Sequence, residues 1–226
     1  MAYKYLLIDN DNTLMDFGAA EKAALRDTLV TSGLPADEET CAAYHRINDA
    51  LWKALERGET TQKELKVERF RQLLEVLHRT EPTAQELCDA YQVQLSHHAE
   101  LLPGAMELME ALHGKVKIAL VSNGVSFIQR GRLSRCPFTP MLDAVIISEE
   151  VGVSKPDPAL LFAGMEALGC TVVREAVMMG DSLSADIAAA VNAGMDSIFY
   201  DRKGMGSDKA THVIRELGDA VGIILG

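Results

Sequence analysis

Short apolar runs that end abruptly in polar residues punctuate the chain. Tyr5–Ile8 reads Tyr-Leu-Leu-Ile and gives way to Asp-Asn-Asp-Asn-Thr. Such a run predicts a buried strand feeding a polar loop. The same pattern recurs at residues 116–121 before Ser122-Asn123-Gly124, at 144–147, at 177–179 before Gly180-Asp181-Ser182, and at 197–200 before Asp201. Between the runs lie helical patterns. Ala105, Leu108, Met109 and Leu112 keep the i, i+3, i+4, i+7 spacing behind Pro103, and residues 158–168 and 187–191 also read as helix. Strands alternating with helices predict an α/β fold, a Rossmann-like parallel sheet of five strands. Ligands of such sheets gather at the carboxyl ends of the strands, where the polar motifs here fall.

Residues 17–97 break the alternation. Thr61 with Glu64 and Thr83 with Glu86 have capping-box spacing, and Phe70, Leu73, Leu74 and Leu77 make one apolar face. Gly33-Leu34-Pro35, Gly58 and Glu81-Pro82 read as breaks between about four helices. The insert lacks the Gly, Ser or Pro richness of a linker, so it reads as a helical-bundle domain. The expected organisation is an α/β core over 1–16 and 98–226 with a helical cap over 17–97.

Composition narrows the classes. Of 226 residues, 48 % are hydrophobic and 24 % charged, which suits a packed core rather than a disordered chain. No run approaches the roughly 20 apolar residues of a membrane helix. A net charge of −11 argues against a nucleic-acid polymer, which draws on an excess of Lys and Arg, but leaves a small anion possible. Cys41, Cys88, Cys136 and Cys170 form no CxxC pair, and the simplest expectation is a reduced, cytoplasmic protein. His97 and His98 have no further His or Cys at ligand spacing and read as a solvated helix end. Trp52 and Phe70 read as core of the helical insert.

Four motifs could carry chemistry. Asp9 and Asp11, two positions apart at a strand end, repel each other, and a cation or a shared proton would relieve them. One could serve as nucleophile and the other as acid and base, although an Asp/Asn-rich turn reads the same way. Asp181 follows a buried strand, and Asp186 sits near a helix start, where an acid is also favoured by the dipole. Carboxylates from two separate loops suit Mg²⁺. Ser122-Asn123-Gly124 offers a hydroxyl and backbone N–H groups to a phosphate, or is an ordinary turn. Lys155 could set a cation beside the carboxylates, or be surface.

Taken together, the order Asp-x-Asp-x-Thr, Ser, Lys, Gly-Asp and a further Asp resembles the haloacid dehalogenase superfamily over essentially the whole chain. The resemblance implies Asp9 as a nucleophile that becomes an aspartyl-phosphate, and Asp11 as general acid and base. It implies Thr13 as loop support, and Ser122, Asn123, Lys155 and Asn10 around the phosphoryl group. It also implies Mg²⁺ organised by Asp9, Asp181, Asp186 and the backbone carbonyl of Asp11. A helical insert between the first and second motifs corresponds to a cap that selects small substrates. Halide-releasing members lack the second aspartate of the first motif, so Asp11 argues for phosphoryl transfer. Sugar-phosphate mutases usually carry Gly where this chain has Asn12.

Several segments are similar to the pyrimidine 5′-nucleotidase branch, above all Ile-Ser-Glu-Glu-Val-Gly-Val-Ser-Lys-Pro-Asp-Pro and Ser-Asn-Gly-Val-Ser-Phe-Ile-Gln-Arg-Gly-Arg-Leu. The chain departs from it after Asp186, where Ala-Ala-Ala-Val replaces the usual glycines before Asn192, and after Tyr200. The resemblance implies a small phosphorylated substrate, with a nucleoside 5′-monophosphate first. The alternatives are a sugar-phosphate or phosphoglycolate-type phosphatase, then a phosphomutase, then a catalytically silent binding protein. Asn123 and Phe17 are candidates to touch the leaving group, a helix-start polar residue and a hinge hydrophobe being the plainer readings.

Overall fold

The structure is a computed structural model that describes residues 2–57 and 59–226, apart from the side chains at 52, 55 and 56. The break at Gly58 and the packing of Trp52 therefore lie outside the described residues. The chain divides into two compact units, Met1–Gly18 with Ala99–Gly226, and Ala19–His98.

The first unit is built on one parallel sheet. Its strands are β1 (Tyr5–Ile8), β2 (Lys117–Ser122), β3 (Ala144–Ile147), β4 (Ala176–Gly180), β5 (Asp196–Tyr200) and β6 (His212–Ile214). They lie in the order β3-β2-β1-β4-β5-β6. The sheet thus has six described strands, not the five expected. The sixth was hidden because it is three residues long and buries only Ile214, while Val213 is exposed. Side chains alternate across the pleat. Leu6, Ile8, Leu120, Val177, Met179 and Ile198 pack on one face against α5 (Ala105–Leu112) and α10 (Asp219–Leu225). Leu7, Ala119, Val121 and Met178 pack on the other against α8 (Ala159–Ala167) and α9 (Ala188–Ala193). A sheet covered on both faces explains why its strands read as continuous apolar runs.

Register brings the motifs to one edge. Ile8 lies beside Leu120 on β2 and Met179 on β4, so the loops after β1, β2 and β4 leave from adjacent strand ends. Pro103 does not begin α5 directly, since Gly104 at φ 81° takes the cap position. The predicted helix over 187–191 is preceded by a single π-helical turn, Leu183–Ile187, and runs on as α9.

The second unit carries most of α1 (Phe17–Thr31) and all of α2 (Glu38–Glu56), α3 (Gln62–Val76) and α4 (Ala84–Leu95). Thr61 and Thr83 form full capping boxes with Glu64 and Glu86, each satisfying two helix-start N–H groups. Phe70 is fully buried, 5.4 Å from the ring of Tyr44 and 5.5 Å from that of Tyr91. His97 is exposed, but His98 is not merely solvated. Its Nε2 lies 2.9 Å from the Asp27 carboxylate, a contact that two residues distant in sequence did not reveal.

Candidate active site

The loop after β1 is gathered onto one carbonyl. The N–H groups of Thr13, Leu14 and Met15 all donate to the backbone oxygen of Asn10. Asn12 takes a left-handed φ of 62°, which Asn tolerates because its short side chain can bond locally. This tight turn leaves Asp9 and Asp11 with separate surroundings.

Asp9 is buried among Lys155, Thr13 and two further carboxylates. Lys155 Nζ donates to Asp9 Oδ1 at 2.7 Å and to the Val121 carbonyl at 2.7 Å, and lies 2.7 Å from Asp186 Oδ1. Thr13 Oγ1 donates to Asp9 Oδ2 at 3.2 Å. Asp9, Asp181 and Asp186 each offer a carboxylate oxygen, and these oxygens lie within 4.8 Å of one another. Burial pushes the Asp9 carboxyl up, Lys155 opposes that, and the charges of Asp186 and Asp11 add to it. Burial and then the charge of Asp186 push Asp181 up to about 6. Burial alone would lower Lys155, but Asp186 and Asp9 together hold it above the ordinary lysine value. Three crowded hard carboxylate oxygens are a donor set that a small divalent cation would relieve, and they fit Mg²⁺.

The Gly180-Asp181 step has a steric reason. A Cβ at Gly180 would lie 2.2 Å from Asp186 Oδ2, so the strand end stays bare to let that carboxylate fold back. The Ser182 N–H fixes the same oxygen at 2.9 Å. Asp186 thus belongs to the carboxylate cluster as well as to a helical start.

Asp11 faces elsewhere. Gln129 Nε2, from α6 (Ser126–Leu133), donates to its Oδ2 at 2.6 Å, and the Arg132 guanidinium bonds its Oδ1. Asn10 is buried and its Nδ2 donates to Gln129 Oε1 at 2.5 Å. Its side chain is therefore engaged with α6 rather than turned to the carboxylate cluster. Asn123 is similarly committed, because its amide donates to the Lys155 carbonyl and accepts from the Lys155 N–H, both at 2.8 Å. It ties down the loop that carries the lysine. Ser122 is buried at the end of β2 with its hydroxyl accepting from the Gly124 N–H at 3.0 Å. Phe17 lies with its ring centroid 5.9 Å from the Arg132 guanidinium carbon.

Gln129 and Arg132 were not singled out from the sequence. Their usable signal was two polar residues one helical turn apart, flanked by the apolar Ile128 and Leu133, behind a glycine. Beside Asp181 opens a cavity of about 300 Å³ lined by Asn12, Tyr200, Asp201, Arg202 and Lys203 among others. Asp181 shares this cavity with Arg202 and Lys203. Among the described residues, no helix is long and apolar enough to cross a membrane.

Residues 3–194 match the family model described as haloacid dehalogenase-like hydrolase. The chain is 36 % identical over 203 residues to the pyrimidine 5′-nucleotidase PynA of Streptococcus pneumoniae, covering 88 % of this chain and 84 % of that one. It is 30 % identical over 195 residues to the pyrimidine 5′-nucleotidase YjjG of Escherichia coli, covering 86 % and 84 %. The magnesium-bound crystal structure of YfnB from Bacillus subtilis superposes with a TM-score of 0.88 at 30 % identity, over 99 % of both chains. With the family model spanning β1 to β4 and all four motif loops, the chain belongs to the haloacid dehalogenase-like hydrolases.

Proposed function

We propose that this chain is an Mg²⁺-dependent phosphatase that hydrolyses a small phosphate monoester, foremost a nucleoside 5′-monophosphate, through an aspartyl-phosphate on Asp9. The carrying observation is the separation of the two aspartates. Asp9 shares a buried cluster with Lys155, Asp181 and Asp186, while Asp11 is held by Gln129 and Arg132. One carboxylate is thus equipped as a nucleophile and the other as a proton carrier.

Asp9, Asp181 and Asp186 would hold the cation, with the Asp11 carbonyl. When bound, Mg²⁺ supplies positive charge that offsets repulsion between the phosphoryl group and the carboxylates. Lys155 favours the ionised form of Asp9 against the effect of burial, and pairs with charge on the phosphoryl oxygens as bonds change. Asp9 attacks phosphorus, the ester P–O bond breaks, and Asp11 gives its proton to the departing oxygen. Asp11, now a base, takes a proton from water, which attacks the phosphorus of the acyl phosphate. Phosphate leaves, Asp9 is restored, and Asp11 is reprotonated. The nucleotide preference draws on the similarity to the two nucleotidases. Arg202 and Lys203 add a cationic wall suited to an anionic substrate.

The test is an ester panel of UMP, dUMP, dTMP, phosphoglycolate and hexose phosphates, with Mg²⁺ and with EDTA. The expected result is cation-dependent phosphate release led by a nucleotide and absent from Asp9→Asn protein. Preference for a sugar phosphate or phosphoglycolate would remove the nucleotidase reading and leave the phosphatase. Activity retained in Asp9→Asn protein would remove both.

A further inference from the structure

We propose that Gln129 and Arg132 are positioning residues that fix the Asp11 carboxyl for proton transfer to the leaving group, an assignment that rests on the phosphatase reading. Asp11 and α6 are 118 to 121 residues apart in sequence, yet both oxygens of Asp11 have a donor from that helix. Gln129 Nε2 takes one oxygen and the Arg132 guanidinium the other, which sets the plane of the carboxyl as well as its position.

Gln129 is itself fixed at its far end. Asn10 Nδ2 donates to its Oε1 at 2.5 Å, so the amide is aligned between two neighbours in the catalytic loop. Gln129 and Arg132 are both essentially inaccessible, at 1 % and 0 % exposure. Removing a guanidinium from water is costly, and apolar residues would have packed α6 at lower cost. Gly124 shows that the backbone accommodates this arrangement. A Cβ there would fall 2.4 Å from Gln129 Nε2 and 2.6 Å from its Cγ. The glycine of the Ser-Asn-Gly turn therefore makes room for the side chain that orients Asp11.

The chemistry needs such a hold. When the ester P–O bond breaks, its electron pair goes to the leaving oxygen, which takes the Asp11 proton in the same event. A carboxyl displaced by about 1 Å loses roughly a hundredfold in such a transfer. Each carboxyl oxygen has more than one acceptor site, so donors from α6 still leave Asp11 able to carry a proton toward substrate.

The experiment compares two esters. 4-Nitrophenyl phosphate has a leaving phenolate that departs unprotonated, whereas the alkyl ester ranked first by the panel releases an alkoxide that needs the proton. kcat/KM reports events up to departure of the leaving group. In Gln129→Met protein, kcat/KM on the alkyl ester is expected to fall about 10- to 100-fold, with a change under about 3-fold on the nitrophenyl ester. Arg132→Lys should lose less than Arg132→Met on the alkyl ester, and circular-dichroism melts identify any variant that fails to fold. Gly124→Ala should copy the Gln129→Met pattern, and should add little in a Gln129→Ala background where the clash is gone. Parallel losses on both esters, or no loss on the alkyl ester, would overturn the assignment while leaving the phosphatase reading intact. Wild-type protein inert on both esters would overturn both.

Discussion

Among the described residues three cations are buried, Lys155 and Arg132 in the α/β unit and Arg69 in the helical unit, and Lys155 and Arg69 are treated differently. In the α/β unit, Lys155 Nζ meets Asp9, Asp186 and a backbone carbonyl, each at 2.7 Å. In the helical unit, the Arg69 guanidinium carbon lies 4.7 Å from the ring centroid of Tyr91, 5.2 Å from Phe70 and 5.7 Å from Tyr44. Its polar bonds go to neutral groups, the Lys66 carbonyl at 3.2 Å and Asn48 Oδ1 at 3.3 Å. Depth of burial is nearly the same for the two. What surrounds the charge differs. Arg69 is accommodated by π faces and by an amide, an arrangement that consolidates helix packing. Lys155 is surrounded by carboxylates that are themselves crowded, and that crowding leaves room for a further cation and for an anionic substrate.

The largest expected effect comes from removing the cation that faces carboxylates. Lys155→Met leaves Asp9 and Asp186 without their buried partner, and should lower kcat at least about 100-fold and stability by about 3 kcal/mol or more. Arg69→Met strands no such pair. It should cost about 1–2 kcal/mol, read as a drop in Tm of several degrees, with a far smaller change in kcat. Equal kinetic losses in the two variants would break the contrast.

Metal removal sharpens the same point. Because Asp181 is pushed up to about 6, the metal-free fold binds its proton more tightly than the unfolded chain does. That contribution to stability is complete below about pH 4, the ordinary Asp range, and is lost as pH rises through about 6. A cation takes the place of the proton on the cluster. The rise in Tm on adding Mg²⁺ is therefore expected to be a few degrees larger at pH 8 than at pH 5, checked by thermal melts with and without EDTA. The smallest effect belongs to the helical unit, where Thr61→Ala should cost about 1 kcal/mol through its lost capping box and leave kcat unchanged.

Much of this arrangement was legible before any coordinates. β1, β2 and β4 announced themselves because a strand buried on both faces must be apolar until the residue at which it leaves the sheet. The motif aspartates stood out as the first polar groups beyond those points. The capping boxes were legible because both partners lie within one turn. β6 was not, since a short edge strand with one inward side chain carries almost no pattern. The π-helical turn before α9 was hidden for a different reason. It arises where Asp186 folds back onto the Ser182 N–H and over Gly180, a contact that helical periodicity does not encode. Gln129 and Arg132 were not singled out, because nothing within α6 itself marks them as residues of the site. Only the fold shows their partner, a carboxylate more than a hundred residues earlier in the chain.

The central claim is that Asp9 becomes covalently phosphorylated, and acid quench tests it most directly. Protein mixed with Mg²⁺ and the best ester labelled with ³²P, then quenched within one turnover, should carry label that hydroxylamine releases and that maps to the peptide containing Asp9. Asp9→Asn protein should carry none. Label that persists in Asp9→Asn protein, or an active wild-type enzyme that never becomes labelled, would contradict the account.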